Sequence, residues 1–299
     1  PFNVYMTVLA FIATMLFTDI LFWTKRVSVK RIVIFLMAVT VSTELVYNAK
    51  LIMTLDGGVE HFTQYAEDEM KLIGQLQQQD GGFYRINQTS TRDVDGNKLT
   101  ANYNEGIAYN YKSISGYTSD PDRNQLLFMK QMGYAICGDV MNVVNTSVLG
   151  ADSILGVKYV LSSYDIPRLK KLENIEPGNG KSVYYNPYAL PVAFTYESSN
   201  MLPDSEEKDE FLYQNQLFSY LSGQNVQVNK RIEAEPKADS NTVGYDVKHM
   251  DDPVYGYFNM KDKDGGKVYV DDQYVTLYNT WLCPRVVYIP QQPDAPSTH

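Results

Sequence analysis

The chain opens on two apolar runs. Val4 to Trp23 (VYMTVLAFIATMLFTDILFW) is interrupted only by threonines and Asp19, and its length is close to the ~20 residues a helix needs to cross a hydrocarbon core. After the cation-rich TKRVSVKR comes a second run, Ile32 to Tyr47, slightly shorter than a standard span and extendable through Asn48. Basic residues in a short loop between spans are retained on the cytoplasmic side. Both ends of this hairpin are therefore expected to face outward, with everything after about residue 50 outside the cell. A signal peptide fits poorly, because no basic region precedes the first run and bulky Phe22 and Trp23 close it. The abrupt opening at Pro1 reads as the tail portion of a longer, multi-span protein. Asp19 and Glu44 lie near span ends, where a carboxylate reaches water; carboxylates inside spans also mark functional sites.

Beyond the runs the periodicity changes. His61 to Gln79 reads as an amphipathic helix, with Phe62, Tyr65, Ala66, Ile73 and Leu76 on one face and Gly81-Gly82 as a stop. Phe83 to Ile86 reads as a short strand, Asp93 to Lys98 as a turn, and 101–119 as loop with short strands. Asp120-Pro121 is expected to open a helix through Met132, with proline at its first position and Gly133 at its end. After a turn or helical piece at 152–155, Gly156 to Leu161 is a buried strand. Residues 165–181 form a connection, and Val183–Tyr185 and Ala189–Tyr196 two more strands. Asp204 and Glu207 have capping-box spacing ahead of a helix that runs to about Leu221 and stops at Gly223. From Val226 on, period-two alternation dominates, and VYGYF, KVYVDD, YVTLY and RVVYIP read as successive strands. The expected architecture is a two-helix transmembrane hairpin (1–48), an extracellular α+β domain (51–223), a small all-β, sandwich-like domain (224–290) and a flexible tail (291–299).

Charge sharpens this division. Residues 1–50 hold five Lys/Arg against Asp19 and Glu44, a surplus of three, so with the whole chain at −9 the remainder carries −12. An acidic body of that size repels phosphate backbones and excludes nucleic acid as the expected partner. Cys137 and Cys283 show no metal-type spacing; two buried thiols and a disulfide both remain open. The three histidines, His61, His249 and His299, are scattered, and the sequence holds neither a Gly-x-Ser-x-Gly elbow nor a P-loop. The Asp93–Asn97 and Asp262–Gly266 turns lack the spacing of a complete EF-hand. Asp56, Glu60 and Glu67-Asp68-Glu69 could supply paired carboxylates for glycosidic chemistry, although such runs are ordinarily solvated helix faces.

The aromatic residues say more. The 24 tyrosines gather in 103–117, 184–196 and 255–288. Tyrosine joins an apolar ring face to a hydroxyl, which suits the CH faces and OH edges of sugars. Tyr103, Asn104, Tyr109, Asn110, Tyr111, Ser115 and Tyr117 combine those rings with amides and hydroxyls and form the candidate substrate-binding segment. Strands also favour tyrosine for its own sake, and both readings stand at this level. No catalytic residue and no metal ligand is assigned.

The order of Phe83-Tyr84-Arg85-Ile86, then Ser153-Ile154-Leu155-Gly156-Val157-Lys158-Tyr159-Val160-Leu161, then Val183 to Pro191 (VYYNPYALP), then Phe211 to Gln216 (FLYQNQ), after a final pair of spans, carries a family resemblance. The chain resembles the C-terminal part of bacterial YfhO-type membrane proteins over about residues 48–225, and the β tail loosely. The resemblance implies a polytopic protein similar to GT-C-type glycosyltransferases, with a polyprenyl-phosphate-linked sugar as donor and cell-surface polymers of the lipoteichoic acid type as acceptor. The implied location is the bacterial cell membrane. In such enzymes the catalytic acid sits in an early external loop, often with a metal or basic residues for the lipid phosphate, so no catalytic residue or cofactor is implied for this part. The implied partners are the lipid bilayer, a surface polymer or glycan, and membrane proteins. A non-catalytic glycan-binding or scaffolding domain is the alternative.

Overall fold

The computed structural model describes residues 2–55, 59–91, 104–134, 136–143, 146–197, 203, 209–238, 243–257, 266–278, 286–291 and 295–299. The described residues up to 64 fall in one compact unit and those from 65 on in a second.

In the first unit the two apolar runs are helices α1 (Phe2–Trp23) and α2 (Val27–Leu55), packed as a hairpin. Tyr5–Trp23 and Val27–Ile52 are each long and apolar enough to cross a membrane. The connection is only residues 24–26, and Lys30 and Arg31 belong to the first turns of α2 rather than to a loop. Helix α2 thus begins earlier and ends later than the apolar run alone indicates, because its polar ends have helix-forming Lys, Arg and Ala. Threonines inside the helices return their hydroxyls to the carbonyl four residues back, as Thr14 does to Ala10 at 2.8 Å and Thr43 to Val39 at 2.8 Å, which satisfies a polar group without water. Asp19 is exposed on α1 and Glu44 half-buried on α2.

Helix α3 (Val59–Gln79) follows, and from residue 65 it belongs to the second unit. Its apolar stripe sinks Leu72, Ile73 and Leu76 into a core with Ile86, Tyr111, Leu161 and Val183. Strand β1 (Arg85–Gln88) starts two residues later than the Phe83–Ile86 pattern suggests, and Phe83 stays exposed. The described part of the tyrosine-rich segment holds a short helix α4 (Glu105–Ala108) and strand β2 (Gly116–Thr118). Helix α5 (Arg123–Gln131) is capped by Asp122, whose side chain accepts from the Asn124 and Gln125 amides at 2.9 and 3.1 Å. Pro121 therefore precedes the cap instead of occupying the first helical position, since a carboxylate satisfies two free amides and proline satisfies none. Strands β3 (Ile136–Cys137) and β4 (Val140–Val143), helix α6 (Leu149–Ile154) and strand β5 (Val157–Ser162) come next.

Strands β6 (Lys170–Lys171) and β7 (Ser182–Tyr185) complete a four-stranded sheet of order β1-β5-β7-β6, in which β1 runs parallel to β5 and the other pairs are antiparallel. No strand forms at 189–196. Strand β7 already lies between β5 and β6, and Asn186 bends the chain away: its amide donates to the Val157 carbonyl at 2.9 Å while its Oδ1 accepts from the Tyr188 amide at 3.0 Å. Helix α7 (Glu210–Ser222) is capped by Asp209 and ended by Gly223 at φ 68°, a left-handed position suited to glycine. The capping pair Asp204 and Glu207 lies outside the described residues.

The remaining strands are β8 (Glu235–Ala238), β9 (Val243–Lys248), β10 (Val254–Tyr257), β11 (Gly266–Val270), β12 (Gln273–Tyr278), β13 (Val286–Ile289) and β14 (Ser297–Thr298). They form small sheets, β8-β9-β14, β10-β13 and β11-β12, beside the β2-β4-β3 sheet. All four sequence-read strands are present. Val286 packs with Met129, Met132, Val143 and Leu217, and Tyr288 with Val157 and Tyr184.

Candidate functional site

The candidate segment closes on itself through Asn104. This residue adopts φ 67°, and its side chain clamps the Tyr117 backbone: Oδ1 accepts from the Tyr117 amide at 2.9 Å and Nδ2 donates to its carbonyl at 3.3 Å. Asparagine tolerates this left-handed conformation better than most residues. Two glycines permit the close passage. A Cβ on Gly106 would lie 2.9 Å from both the Ser113 Cβ and the Tyr111 carbonyl, and one on Gly116 2.9 Å from the Asn104 Oδ1.

The fold lines a pocket of ≈ 410 Å³ with this closed segment, within the range of small-molecule sites. Asn104, Tyr111, Ser115 and Tyr117 line it. Tyr109 does not: its ring is half-buried against the α3 core and tilted on Tyr65 at 6.4 Å. Asn110 is exposed outside the pocket, and its carbonyl accepts from the Gln77 amide at 3.0 Å. Tyr103 lies outside the described residues. The segment's side chains are joined by Arg85 at the start of β1, Gln125 and Met129 of α5, and Leu155. Sequence reading missed these because they come from separate elements, and no local pattern marks them.

Behind the lining residues stand two polar networks. Ser115 Oγ donates to Asn87 Oδ1 at 2.9 Å, and Asn87 Nδ2 donates to the Thr146 carbonyl at 2.8 Å and to Asp152 Oδ1 at 2.9 Å. Asp152 also accepts from the Tyr134 and Ser147 hydroxyls. Burial pushes its carboxyl up to about 6, against the downward pull of the bonds from Ser147, Tyr134 and Asn87.

The second network is centred on Lys181, whose side chain is 1% exposed. Its three ammonium protons meet three acceptors: Glu69 Oε2 at 2.7 Å, Gln88 Oε1 at 2.6 Å and the Tyr65 hydroxyl at 3.1 Å. Gln88 Nε2 then donates to Glu105 Oε2 at 2.9 Å and to the Tyr111 hydroxyl, while the Tyr65 hydroxyl donates to Glu105 Oε1 at 3.0 Å. Burial raises the Glu105 carboxyl, with Glu69 adding to it and Lys181 opposing it. Tyr65 and Tyr111 are likewise held protonated, chiefly by burial. Glu69 is thus a buried ion-pair partner, whereas its neighbour Glu67 is exposed. The signal that could have found Lys181 is Asn179-Gly180. Both residues have positive φ (53° and 70°), and the two-residue turn is closed by reciprocal Gly178–Lys181 backbone bonds, the geometry Asn-Gly favours in hairpins.

Asp152 and Glu105 accept protein hydrogen bonds on both carboxylate oxygens, and no acid of either network is among the described lining residues of the pocket. Among the described residues no group of three His, Cys, Asp or Glu is placed to hold a metal ion.

The sequence model of the bacterial membrane protein YfhO family matches residues 2–280. The chain belongs to the YfhO family of bacterial membrane proteins. The match takes in both apolar helices, each long and apolar enough to cross a membrane, and reaches past residue 225 through most of the β tail. No curated protein and no solved structure matches the chain.

Proposed function

We propose that this chain is the external part of a polytopic, glycosyltransferase-like membrane protein that takes part in glycosylating cell-surface polymers of the lipoteichoic acid type. The donor in this reading is a polyprenyl-phosphate-linked sugar, and the part after about residue 50 lies outside the cell. Its pocket binds the polymer or glycan, while the chemistry belongs to another part of the protein. The observation that carries the reading is the pocket itself: Tyr111 and Tyr117 rings beside the amides and hydroxyls of Asn104, Gln125 and Ser115, with no acid among the described lining residues. Rings that cover CH faces and polar groups that take OH edges are the elements of sugar recognition. Family membership supports the membrane setting.

The test is titration of the full chain in detergent micelles with teichoic-acid fragments and simple glycosides, followed by heat. Saturable binding weakened about tenfold by Tyr117→Ala is expected, the loss of roughly one aromatic contact and its ordering. Absence of binding to every fragment and glycoside would overturn the pocket's role.

A further inference from the structure

Resting on that glycan-pocket reading, we propose that Arg85 reads one negative charge on the ligand. The pocket then selects a phosphate- or carboxylate-bearing polyol or sugar over its neutral counterpart.

The first observation is the partnering of Arg85. Lys71, Lys158, Arg168 and Lys181 each sit on a carboxylate, at 2.8, 2.5, 2.6 and 2.7 Å. Arg85 has none among the described residues. Among the described residues its side chain makes one hydrogen bond, from Nη1 to the Leu155 carbonyl, and Nε and Nη2 have no acceptor there. A half-buried guanidinium carries five donors in a planar fork, and this one is fixed by a neutral carbonyl at one corner only. Such a group is oriented without being neutralised.

The second observation is the surrounding charge. Among the described lining residues Arg85 alone is charged; the rest are amides, hydroxyls, aromatics, aliphatics and glycines. Glu105, next in chain to the lining Gly106, is buried and occupied by Tyr65 and Gln88. Asp152 is buried and occupied by Tyr134, Ser147 and Asn87. The chain as a whole carries −9, which repels an anionic ligand almost everywhere. At the pocket wall the Arg85 guanidinium offsets that repulsion. A guanidinium in a partly desolvated wall favours a phosphate or carboxylate, which it can grip with two parallel bonds, over a hydroxyl. Ser113, Thr118 and Gln125 supply the donors and acceptors for the polyol or sugar portion.

Calorimetry on the full chain in detergent micelles separates the sources. The probes are glycerol 3-phosphate for the phosphate arm, methyl glucuronide for the carboxylate arm, methyl glucoside as the neutral counterpart, and inorganic phosphate. At least one charged probe is expected to bind about tenfold or more tighter than methyl glucoside, the scale of a charge-assisted bond. That advantage should shrink with added salt. Arg85→Gln, which keeps a donor for the Leu155 carbonyl, should erase the advantage, bringing charged and neutral probes to about equal affinity, while Arg85→Lys should keep part of it. Should Arg85→Gln fail to fold, the salt dependence of the wild type and the Arg85→Lys variant decide. Equal binding of charged and neutral probes, or a preference that survives Arg85→Gln or is insensitive to salt, overturns the role of Arg85 and leaves the glycan pocket standing. Inorganic phosphate binding as tightly as glycerol 3-phosphate keeps Arg85 and overturns the glycan reading. No binding of any probe overturns both.

Discussion

Lys181 is where a single substitution has the largest reach. Its ammonium is the counter-charge for buried Glu69 and is bonded to Gln88, which holds the hydroxyl of pocket residue Tyr111. Lys181→Met leaves Glu69 uncompensated, and removal of one member of a buried pair costs about 3–5 kcal/mol. Urea denaturation should show that loss, and adding Glu69→Leu should return much of it; a double variant no more stable than the single would rule out the uncompensated charge as the cause. Asp152 gives the pH counterpart. Its folded value of about 6 exceeds the ~3.9 of an unfolded aspartate, so the folded protein holds a proton that the unfolded chain releases. Stability from this group is therefore greatest below about pH 4, falls as pH rises towards 6, and stays reduced above. Asp152→Asn should flatten the pH 4–6 part of the stability curve, leaving a residual slope of the same sign from Glu105, whose carboxyl is also raised; an unaltered slope would show that Asp152 carries no such proton. The Asn179-Gly180 turn marks where Lys181 sits, but the buried role of neither residue was legible from the sequence. Glu69 and Lys181 meet across the fold, and Asp152 draws its partners from three separate stretches. Local patterns record which face of a helix is apolar, not which distant polar group will be driven under it.

At the level of elements the pattern was a better guide, and its failures have physical causes. Gly156 to Leu161 and the four C-terminal strands were readable because alternating or continuous apolar residues have few other places to go. Phe83-Tyr84 shares that signature, yet the ladder begins at Arg85, where the backbone first pairs with β5 at Val157. Residues 189–196 are apolar enough for a strand, but the edge they would need is already taken by β5 and β6. Four of the candidate residues share the pocket because Gly106 and Gly116 let the segment fold tightly over Asn104. Gly106→Ala tests this. Its methyl must displace the Ser113 side chain and the Tyr111 backbone, an overpacking that costs roughly 1–3 kcal/mol. Glycan binding should fall more than tenfold while α3 and the sheet remain, visible as unchanged far-ultraviolet dichroism. Full binding by the alanine variant would separate the pocket from this close passage.

For the whole molecule the decisive quantity is the sidedness of the helix pair. Four cations, Lys25, Arg26, Lys30 and Arg31, lie within seven residues around the hairpin turn, and the chain beyond is acidic. Cations so close to two span ends hold that end in the cytoplasm. On the proposed reading, a chain that crosses twice is expected to return its second unit to the outside, where the proposed glycan pocket would meet surface polymers. The expectation is checked with Cys137→Ser and Cys283→Ser combined with one new cysteine at a time. A membrane-impermeant maleimide added to intact cells should label Gln78→Cys, which is exposed on α3. Ser28→Cys, on the first turn of α2, should be labelled only after permeabilisation. The reverse pattern would place the acidic unit in the cytoplasm, away from any surface polymer. The pocket would then need a cytoplasmic ligand, and the reading of this family member as the external part of a polymer-glycosylating protein would fall with its orientation.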